Sequence, residues 1–529
     1  MELAHVALVN KTFSEAALDV LWRRLYIGLL PLVKLFSVSY EDREYPEDIA
    51  NYDQDDSEVT LKGYEALVLK RPIEPRQWTR FQFYARRVRF LSYQENLQRI
   101  DPSVLYAIGS YAQPEAVIPH LHELHWAQHQ LHGGELLYFI SPNLVSLSLK
   151  VFDYIRSEGA LRITETLFPR KDDSNEHLLL AAVHSRASHV RKVDLYGWPI
   201  KAPLVHILQF RDLREISLGR YYHITSEALS AFSASETLEA LSFELPNLKH
   251  SELSISEGFP ALKQLCMRCT QAACWCSVSS MLSVISSRNL SKLSINFEFP
   301  PPDGWPSGAC HCSSPLLLLS QRWRCSMQAF LLRITTQVPP PVEHYFAQLS
   351  DIIGPLMPLS RLRAVHIHIG HIMDASFALR SEDIPALAGA WPELEEFHLS
   401  TDRGGSSHRV VHSTIAPSIY SLVHFALKCP SLRSLKLPCT DLRPVEISSE
   451  VPAGLQHKLR HLQAAEVLPK AHQSLLAPAA RFLEETFPLV CLDPPFQDDF
   501  RKVVTAWKRV RVRESHSAAA RLVRSRTTR

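Results

Sequence analysis

A short spacing of apolar residues recurs along most of this chain. In each copy, three apolar positions are separated first by two residues and then by one, as in NLVSLSL at 143–149. The last residues of a copy alternate between apolar and polar, which is the pattern of a half-buried β-strand. The copies begin at Leu121, Leu144, Val190, Leu213, Leu238, Leu262, Leu290, Leu362, Leu394 and Leu432.

The distance between copies predicts one strand and one return helix per repeat. Over the first six copies the steps are 23, 46, 23, 25 and 24 residues. The doubled step predicts a further, cryptic copy near residue 167. A unit of this length buries its apolar face only against its neighbours, so the pattern indicates an α/β leucine-rich-repeat solenoid, or horseshoe.

Residues 299–341 interrupt this rhythm. The segment begins and ends in proline triplets, and no leucine pattern lies within it. The step from Leu290 to Leu362 is 72 residues, so the segment is either an irregular insertion or a run of degenerate repeats. We interpret it as an insertion.

Charge is segregated along the chain, although the formal net charge is only +2. Residues 500–529 hold ten Lys and Arg and one acid, whereas residues 41–58 hold nine acids and one arginine. The basic tail around Trp507 suits nucleic-acid contact, nuclear import or pairing with the acidic run. A solvated tail is the simplest interpretation, so a nucleic-acid partner is not expected. No apolar run is long enough to span a bilayer, so no membrane partner is expected either.

A helical segment is expected before the repeats. Apolar residues spaced by three and four in HVALVNKTFSEAALDVLWRRL predict helix, with either a cap at Ser14 or a break at Asn10–Lys11. A second helix is expected at about 75–87. The predicted divisions are helices over 1–36, an acidic linker over 37–74, a hinge helix and first strand over 75–118, repeats over 119–466, a C-terminal cap over 467–499 and the basic tail over 500–529.

The N-terminal residues resemble the second half of an F-box. In that family a short helix carrying Val-x-Lys-x-Trp/Phe is followed by another that ends in Leu-Trp. The matching residues here are Val9, Lys11, Phe13, Ala17, Leu18, Leu21 and Trp22. Segments 31–36 and 76–91 look like the hinge of large fungal F-box and leucine-rich-repeat proteins. The opening Leu-Pro-x-Glu-like helix has no counterpart, so we expect an F-box-like domain truncated at its N-terminus.

The resemblance implies a substrate-recognition subunit of a cullin-type (SCF) ubiquitin ligase. Family members dock on a Skp-type adaptor and present a target protein, here unknown, through the repeats. The adaptor contacts implied for this chain are Val6, Val9, Phe13, Leu18, Leu21 and Trp22. The alternative is a ligase-independent interaction scaffold. We expect no enzyme, because the sequence contains no G-x-S-x-G, Walker A or H-E-x-x-H motif.

The predicted target-binding surface is the outward face of the repeat strands. Residues between the buried apolar positions of a strand point away from the core. Late repeats place histidines there, which predicts a preference for acidic or phosphorylated segments below pH ~6.5. The candidate target contacts are Lys192, Asp194, Tyr196, Glu215, His366, His368, Glu396, His398 and Lys436.

Clustered cysteines and histidines are candidates for a zinc site. Cys266 and Cys269 have the spacing of half a zinc site, but Cys274 and Cys276 do not supply the other half. The histidines between His120 and His132 straddle a strand and a loop. We therefore expect no metal and no cofactor. Ten scattered cysteines do not suggest a disulfide framework, which favours a reducing compartment, cytoplasmic or nuclear.

Overall fold

Parallel β-strands joined by helices make up the computed structural model of this chain. It divides into two units, residues 1–244 and 245–529. No helix in its described part is both long enough and apolar enough to cross a lipid bilayer. The structure describes residues 11–43, 64–128, 134–151, 174–197, 204–219, 224–245, 257–269, 275–297, 313–335, 349–370, 379–402, 416–444, 457–468, 473–492, 503, 505, 506 and 508.

In the first unit, the described strands form a parallel ladder and a separate hairpin. The ladder order is β1, β4, β5, β6, β7, β8 and β9, and β2 pairs antiparallel with β3. The strands are β1 (Arg24–Leu25), β2 (Val38–Arg43), β3 (Tyr64–Leu69), β4 (Phe90–Gln94), β5 (Glu123–Gln128), β6 (Ser146–Val151), β7 (Lys192–Tyr196), β8 (Glu215–Leu218) and β9 (Ala240–Leu245).

In the second unit, consecutive strands of the described residues pair in parallel from β10 to β17. They are β10 (Gln264–Cys269), β11 (Lys292–Phe297), β12 (Ala329–Ile334), β13 (Ala364–Gly370), β14 (Glu396–Asp402), β15 (Ser434–Asp441), β16 (His461–Leu468) and β17 (Cys491–Leu492).

Helices connect these strands. They are α1 (Lys11–Trp22), α2 (Leu30–Val33), α3 (Pro75–Ala85), α4 (Glu95–Gln98), α5 (Pro102–Ala112), α6 (Ser174–Arg186), α7 (Ser226–Ser233), α8 (Trp275–Val284), α9 (Ser313–Arg322), α10 (Leu349–Leu356), α11 (Asp383–Ala390), α12 (Val423–Lys428) and α13 (Gln473–Thr486). Short 3₁₀ turns lie at Gly134–Phe139, Leu204–Gln209 and Ile419–Leu422.

The three apolar positions of each repeat form the core of each unit. In the β10 repeat, Leu262, Leu265 and Met267 are all at most 1% exposed. Return helices cover the same side, since α8 packs on α9 and α9 on α10. Buried tryptophans tie adjacent repeats together, because Nε1 of Trp323 donates to the Ser287 carbonyl at 2.6 Å. The predicted α/β repeat solenoid is therefore confirmed.

The interpretation of 299–341 as an irregular insertion is wrong where the segment is described. Helix α9 and strand β12 lie within it, and β12 pairs with both β11 and β13. The segment contains a true repeat in which Met327, Phe330 and Leu332 occupy the three core positions and are fully buried. A search for leucine alone misses it, because methionine and phenylalanine fill these positions with similar apolar volume.

The predicted cryptic copy near residue 167 adds no strand to the ladder. Strand β6 pairs directly with β7, with Ser146 opposite Lys192. No rung therefore lies between these two strands, and residues 152–173, which include the predicted position, lie outside the described residues.

The ends of the predicted acidic linker, 37–74, form the β2–β3 hairpin rather than a loop. Residues 44–63, which hold most of the acidic run, lie outside the described residues. Helix α1 begins at Lys11, so Ser14 lies within it and does not cap a second helix.

Candidate functional site

Three polar side chains meet on the outward face of β13 and β14. In β13, Val365 is buried, so the alternation of a strand places His366 on the opposite side. In β14, Phe397 is buried between Glu396 and His398, which therefore share the outward face. The repeat pattern thus brings together two imidazoles and a carboxylate.

The register of the two strands sets the contacts within this cluster. His366 lies directly opposite His398, and their rings stack with centroids 4.2 Å apart and planes inclined by 9°. Nε2 of His366 lies 2.9 Å from Oε2 of Glu396. Nε2 of His398 lies 2.8 Å from Oγ of Ser434 on β15. Each ring therefore has a polar partner.

The surroundings keep His398 neutral at ordinary pH. Burial lowers its pKa to about 4, assisted by the positive charge of a protonated His366 and by Lys436, against an opposing effect of Glu396. The predicted strengthening of anion binding below pH ~6.5 therefore does not extend to His398. This ring gains a proton only in much more acidic solution.

The remaining residues predicted on this surface lie beside the cluster. His368, two residues after His366, places Nδ1 2.9 Å from Oγ of Ser400. Lys436 on β15 lies opposite His398. The second unit thus carries all five of its predicted target contacts on the outward face of three adjacent strands.

The four target contacts predicted in the first unit lie on the outward face of β7 and β8. Nζ of Lys192 lies 3.0 Å from Oε2 of Glu215, directly across the ladder. Asp194 accepts a hydrogen bond from Ser148 at 3.3 Å. Each of these three charged side chains already has a cross-strand partner, which stabilises the face. A ligand can pair with one of these charges only by breaking the existing pair.

An aromatic residue completes this outward face. Tyr196, which is 39% exposed, lies with its ring 4.9 Å from Nζ of Lys150. Exposed tyrosines of this kind supply large contact area at protein interfaces.

Helix α1 divides the predicted adaptor contacts into exposed and packed residues. Phe13 is 58% exposed and Leu21 36%, so both are accessible to a partner. Leu18 is half-buried. Trp22 packs on Tyr84 with ring centroids 4.5 Å apart, so it belongs to the contact between α1 and α3. Val6 and Val9 lie outside the described residues.

Sequence reasoning missed the residue that anchors α1. Arg87, just after α3, has a side chain only 4% exposed and forms ion pairs with Glu15 and Asp19. Its guanidinium also donates to the Phe83 carbonyl at 3.0 Å and lies 4.2 Å from the ring centroid of the same residue. Local patterns carry no signal for this contact, because the ion-pair partners are about 70 residues apart in sequence.

Sequence reasoning also missed further apolar exposure around α1. Val20 on the helix is 57% exposed, and Tyr26 and Ile27 after it are 64% and 72% exposed. On a helix, residues 13 and 20 are seven positions apart and share one face. The accessible apolar set is therefore Phe13, Val20, Leu21, Tyr26 and Ile27, which we call the α1 patch.

A basic cleft in the second unit was likewise not predicted. Arg433, Lys458 and Arg460 line it together with Leu489, which is 62% exposed. The arginines follow the first apolar position of adjacent repeats, so the repeat itself places them side by side.

The candidate metal-binding groups differ in whether their ligand atoms lie close together. Within the described part of the chain, the groups that lie close enough to share a metal ion are His366, Glu396 and His398, and no cysteine joins such a group there. Cys266 is a free thiol, whereas Cys276 is disulfide-bonded. Cys274, His129 and His132 lie outside the described residues.

Most of the predicted basic tail, 500–529, also lies outside the described residues.

Comparisons with known proteins add little beyond the fold. No protein-family model and no curated protein sequence matches the chain. A crystal structure of a yeast Rad7–Elc1 complex aligns over 62% of this chain and 80% of that chain, with 12% identity and a TM-score of 0.32. A TLR13–ssRNA13 complex aligns over 79% of this chain and 62% of that chain, with 10% identity and a TM-score of 0.33. At such low identities and TM-scores, neither likeness implies a shared partner, ligand or activity.

Proposed function

We propose that this chain is a non-enzymatic substrate-recognition subunit of a cullin-type ubiquitin ligase. The α1 patch binds a Skp-type adaptor, and the outward faces of the repeat strands hold a target protein. The chain contributes proximity rather than chemistry. Holding a target lysine near a charged conjugating enzyme raises its effective concentration and so accelerates transfer.

The observation that carries this proposal is the two-sided character of α1. One side is fixed to the rest of the first unit by the buried Arg87 and by the stacking of Trp22 on Tyr84. The α1 patch leaves large apolar side chains in water. Large exposed apolar side chains that share one helix face, as Phe13 and Val20 do, favour an interaction site, since helices present such anchors at positions i and i+7.

The resemblance of residues 9–22 to the second half of an F-box indicates a Skp-type adaptor as the partner. Two of the residues that match that family, Phe13 and Leu21, belong to the α1 patch. These side chains do not serve the packing of α1 on Arg87 and Tyr84. They are therefore free to make the adaptor contact that the resemblance implies.

The outward strand faces support target recognition. Charged, imidazole and tyrosine side chains follow the strands of each unit, as Lys192, Tyr196, His366 and Lys436 illustrate. A regular series of polar and aromatic groups on rigid strands presents a defined surface to an extended segment or a folded target. The chemistry of ubiquitin transfer belongs to the partner enzyme, so no catalytic group is needed here.

The test is complex formation with a Skp-type adaptor, measured by size-exclusion chromatography with light scattering. The proposal predicts a one-to-one complex at micromolar concentration that is weakened by Phe13→Ala. A folded chain that forms no complex would instead favour a ligase-independent interaction scaffold. The circular dichroism spectrum of the same sample establishes that the chain is folded.

A further inference from the structure

We propose that His366, Glu396 and His398 form a binding site for a transition-metal ion of the Zn²⁺ class. Each of the three offers one ligand atom, and these atoms lie within 4.8 Å of one another. This inference is tested independently of adaptor binding, because its three ligands lie on β13 and β14 and none lies on α1. Its success or failure leaves adaptor binding unaffected.

The backbone holds the three ligands in fixed relation. His366 and His398 are paired in register across a parallel ladder, and Glu396 lies two residues before His398 on the same face. Sites built on strands are positioned more accurately than sites on loops. The ion is therefore received by side chains whose Cα positions are already set, which lowers the ordering cost of binding.

The donor set matches a particular class of metal. Two imidazole nitrogens and one carboxylate oxygen are the protein ligands of open zinc sites, in which water or another group fills the remaining position. No thiolate belongs to the cluster, which favours divalent ions that bind imidazole nitrogen. Affinity should increase from Co²⁺ to Ni²⁺ to Cu²⁺, and Zn²⁺ should bind less tightly than Cu²⁺.

The charge of the cluster favours a cation. Glu396 supplies the compensating negative charge, 2.9 Å from His366. The ammonium of Lys436 on the neighbouring strand opposes the positive charge of an ion.

The rings must rotate to reach one ion. The imidazoles stack almost in parallel, and a shared ion requires the ring planes to turn towards each other. The χ2 torsion of histidine is broad and roughly two-fold, so this turn meets a soft potential. When Nε2 of His398 donates to Ser434, 2.8 Å away, the lone pair lies on Nδ1. That hydroxyl then provides the outer hydrogen bond that metal-binding histidines make.

The neighbouring histidine supplies a matched control. His368 lies on the same strand and face, is half-buried like His366, and contacts Ser400 at 2.9 Å. It is not a member of the three-ligand group. Replacing it removes an imidazole from the same surface without touching the proposed site.

The experiment is titration of the EDTA-treated, thiol-alkylated full chain with ZnCl₂ by calorimetry, and with CoCl₂ by visible absorption. We expect one equivalent to bind with micromolar affinity. His366→Ala and His398→Ala should each weaken this binding by about 100-fold or more, whereas His368→Ala should change it by less than about 3-fold. Lys436→Ala should tighten it, because the opposing charge is removed.

Two further measurements distinguish loss of a metal ligand from misfolding of the variant and from binding of the ion by cysteines. His398→Asn keeps a polar side chain of similar reach, and circular dichroism of each metal-free variant reports whether it is folded. A thiolate-to-cobalt charge-transfer band would show that cysteines hold the ion. That band, equal binding by wild type and His398→Asn, or no binding by the wild type at millimolar Zn²⁺ would each overturn the proposal.

Discussion

The buried guanidinium of Arg87 lies with Nε 3.1 Å from Oδ1 of Asp19, and this ion pair fixes α1 against the segment that follows α3. The arginine side chain is only 4% exposed, whereas that of Asp19 is 66% exposed. Glu15, one turn earlier on α1, also pairs with the same guanidinium. The cost of breaking this contact therefore depends on which partner is removed.

Removal of the acids should destabilise the docking of α1 more than removal of the arginine. The double variant Glu15→Gln, Asp19→Asn leaves a buried charge without an ionic partner, which we expect to cost about 2–4 kcal/mol. Arg87→Met leaves only exposed carboxylates, which water solvates, and should cost roughly 1 kcal/mol. Amide hydrogen exchange of residues 11–22 measures the opening of α1 in each variant. Equal effects, or a larger effect of Arg87→Met, would contradict this account of the contact.

Stability of the second unit should fall in acid because of His398. Its folded-state pKa of about 4 lies below its unfolded value of ~6.5, so the unfolded chain binds more protons between these limits. The contribution of His398 is thus fully present above pH ~6.5 and is lost as the pH falls towards 4. Solvent screening at this partly exposed ring limits it to the order of 1–2 kcal/mol.

The comparison is between wild type and His398→Asn, by urea unfolding at several pH values with EDTA present. The wild type should lose more stability than the variant between pH 7 and 4. Parallel pH profiles would show that His398 does not titrate as described. Burial also lowers the pKa of His125 and His457, so only the difference between the two proteins isolates His398.

Strand β12 should carry as much stability as its neighbours. Phe330 is fully buried, so Phe330→Ala removes a core ring and should cost about 3–5 kcal/mol of unfolding free energy. Leu317 on α9 is 47% exposed, and Leu317→Ala should cost less than about 0.5 kcal/mol. Urea unfolding followed by circular dichroism gives both values. A small effect of Phe330→Ala would mean that β12 is not an integral rung.

Much of the repeat architecture could be predicted because each repeat strand is specified by residues that lie close together in sequence. Three apolar positions within six residues define a strand and its buried side, and this placed Lys192, His366 and His398 on outward faces. The β12 rung was missed because Met327 and Phe330 replace leucine. The prediction of a strand between β6 and β7 near residue 167 is wrong, because it assumes that the repeat length stays constant, whereas β6 pairs directly with β7.

The contacts that define the sites could not be predicted in this way. The stacking of His366 on His398 depends on lateral register between strands 32 residues apart, which the repeat length sets only to within a residue or two. The pairing of Arg87 with Glu15 joins elements outside the repeat pattern. The depressed pKa of His398 follows from burial and neighbouring charges, which exist only once the strands are side by side.

Adaptor affinity of two exposed-residue variants tests the central claim most directly. Phe13 on α1 is 58% exposed, and Leu97 on α4 is 73% exposed, so aspartate at either position should leave the fold intact. In calorimetric titration with a Skp-type adaptor, Phe13→Asp should weaken binding by about 30-fold or more, as for an interface anchor. Leu97→Asp should stay within about 3-fold of wild type. Equal affinities for the two variants would contradict the claim that the α1 patch is the adaptor-binding surface.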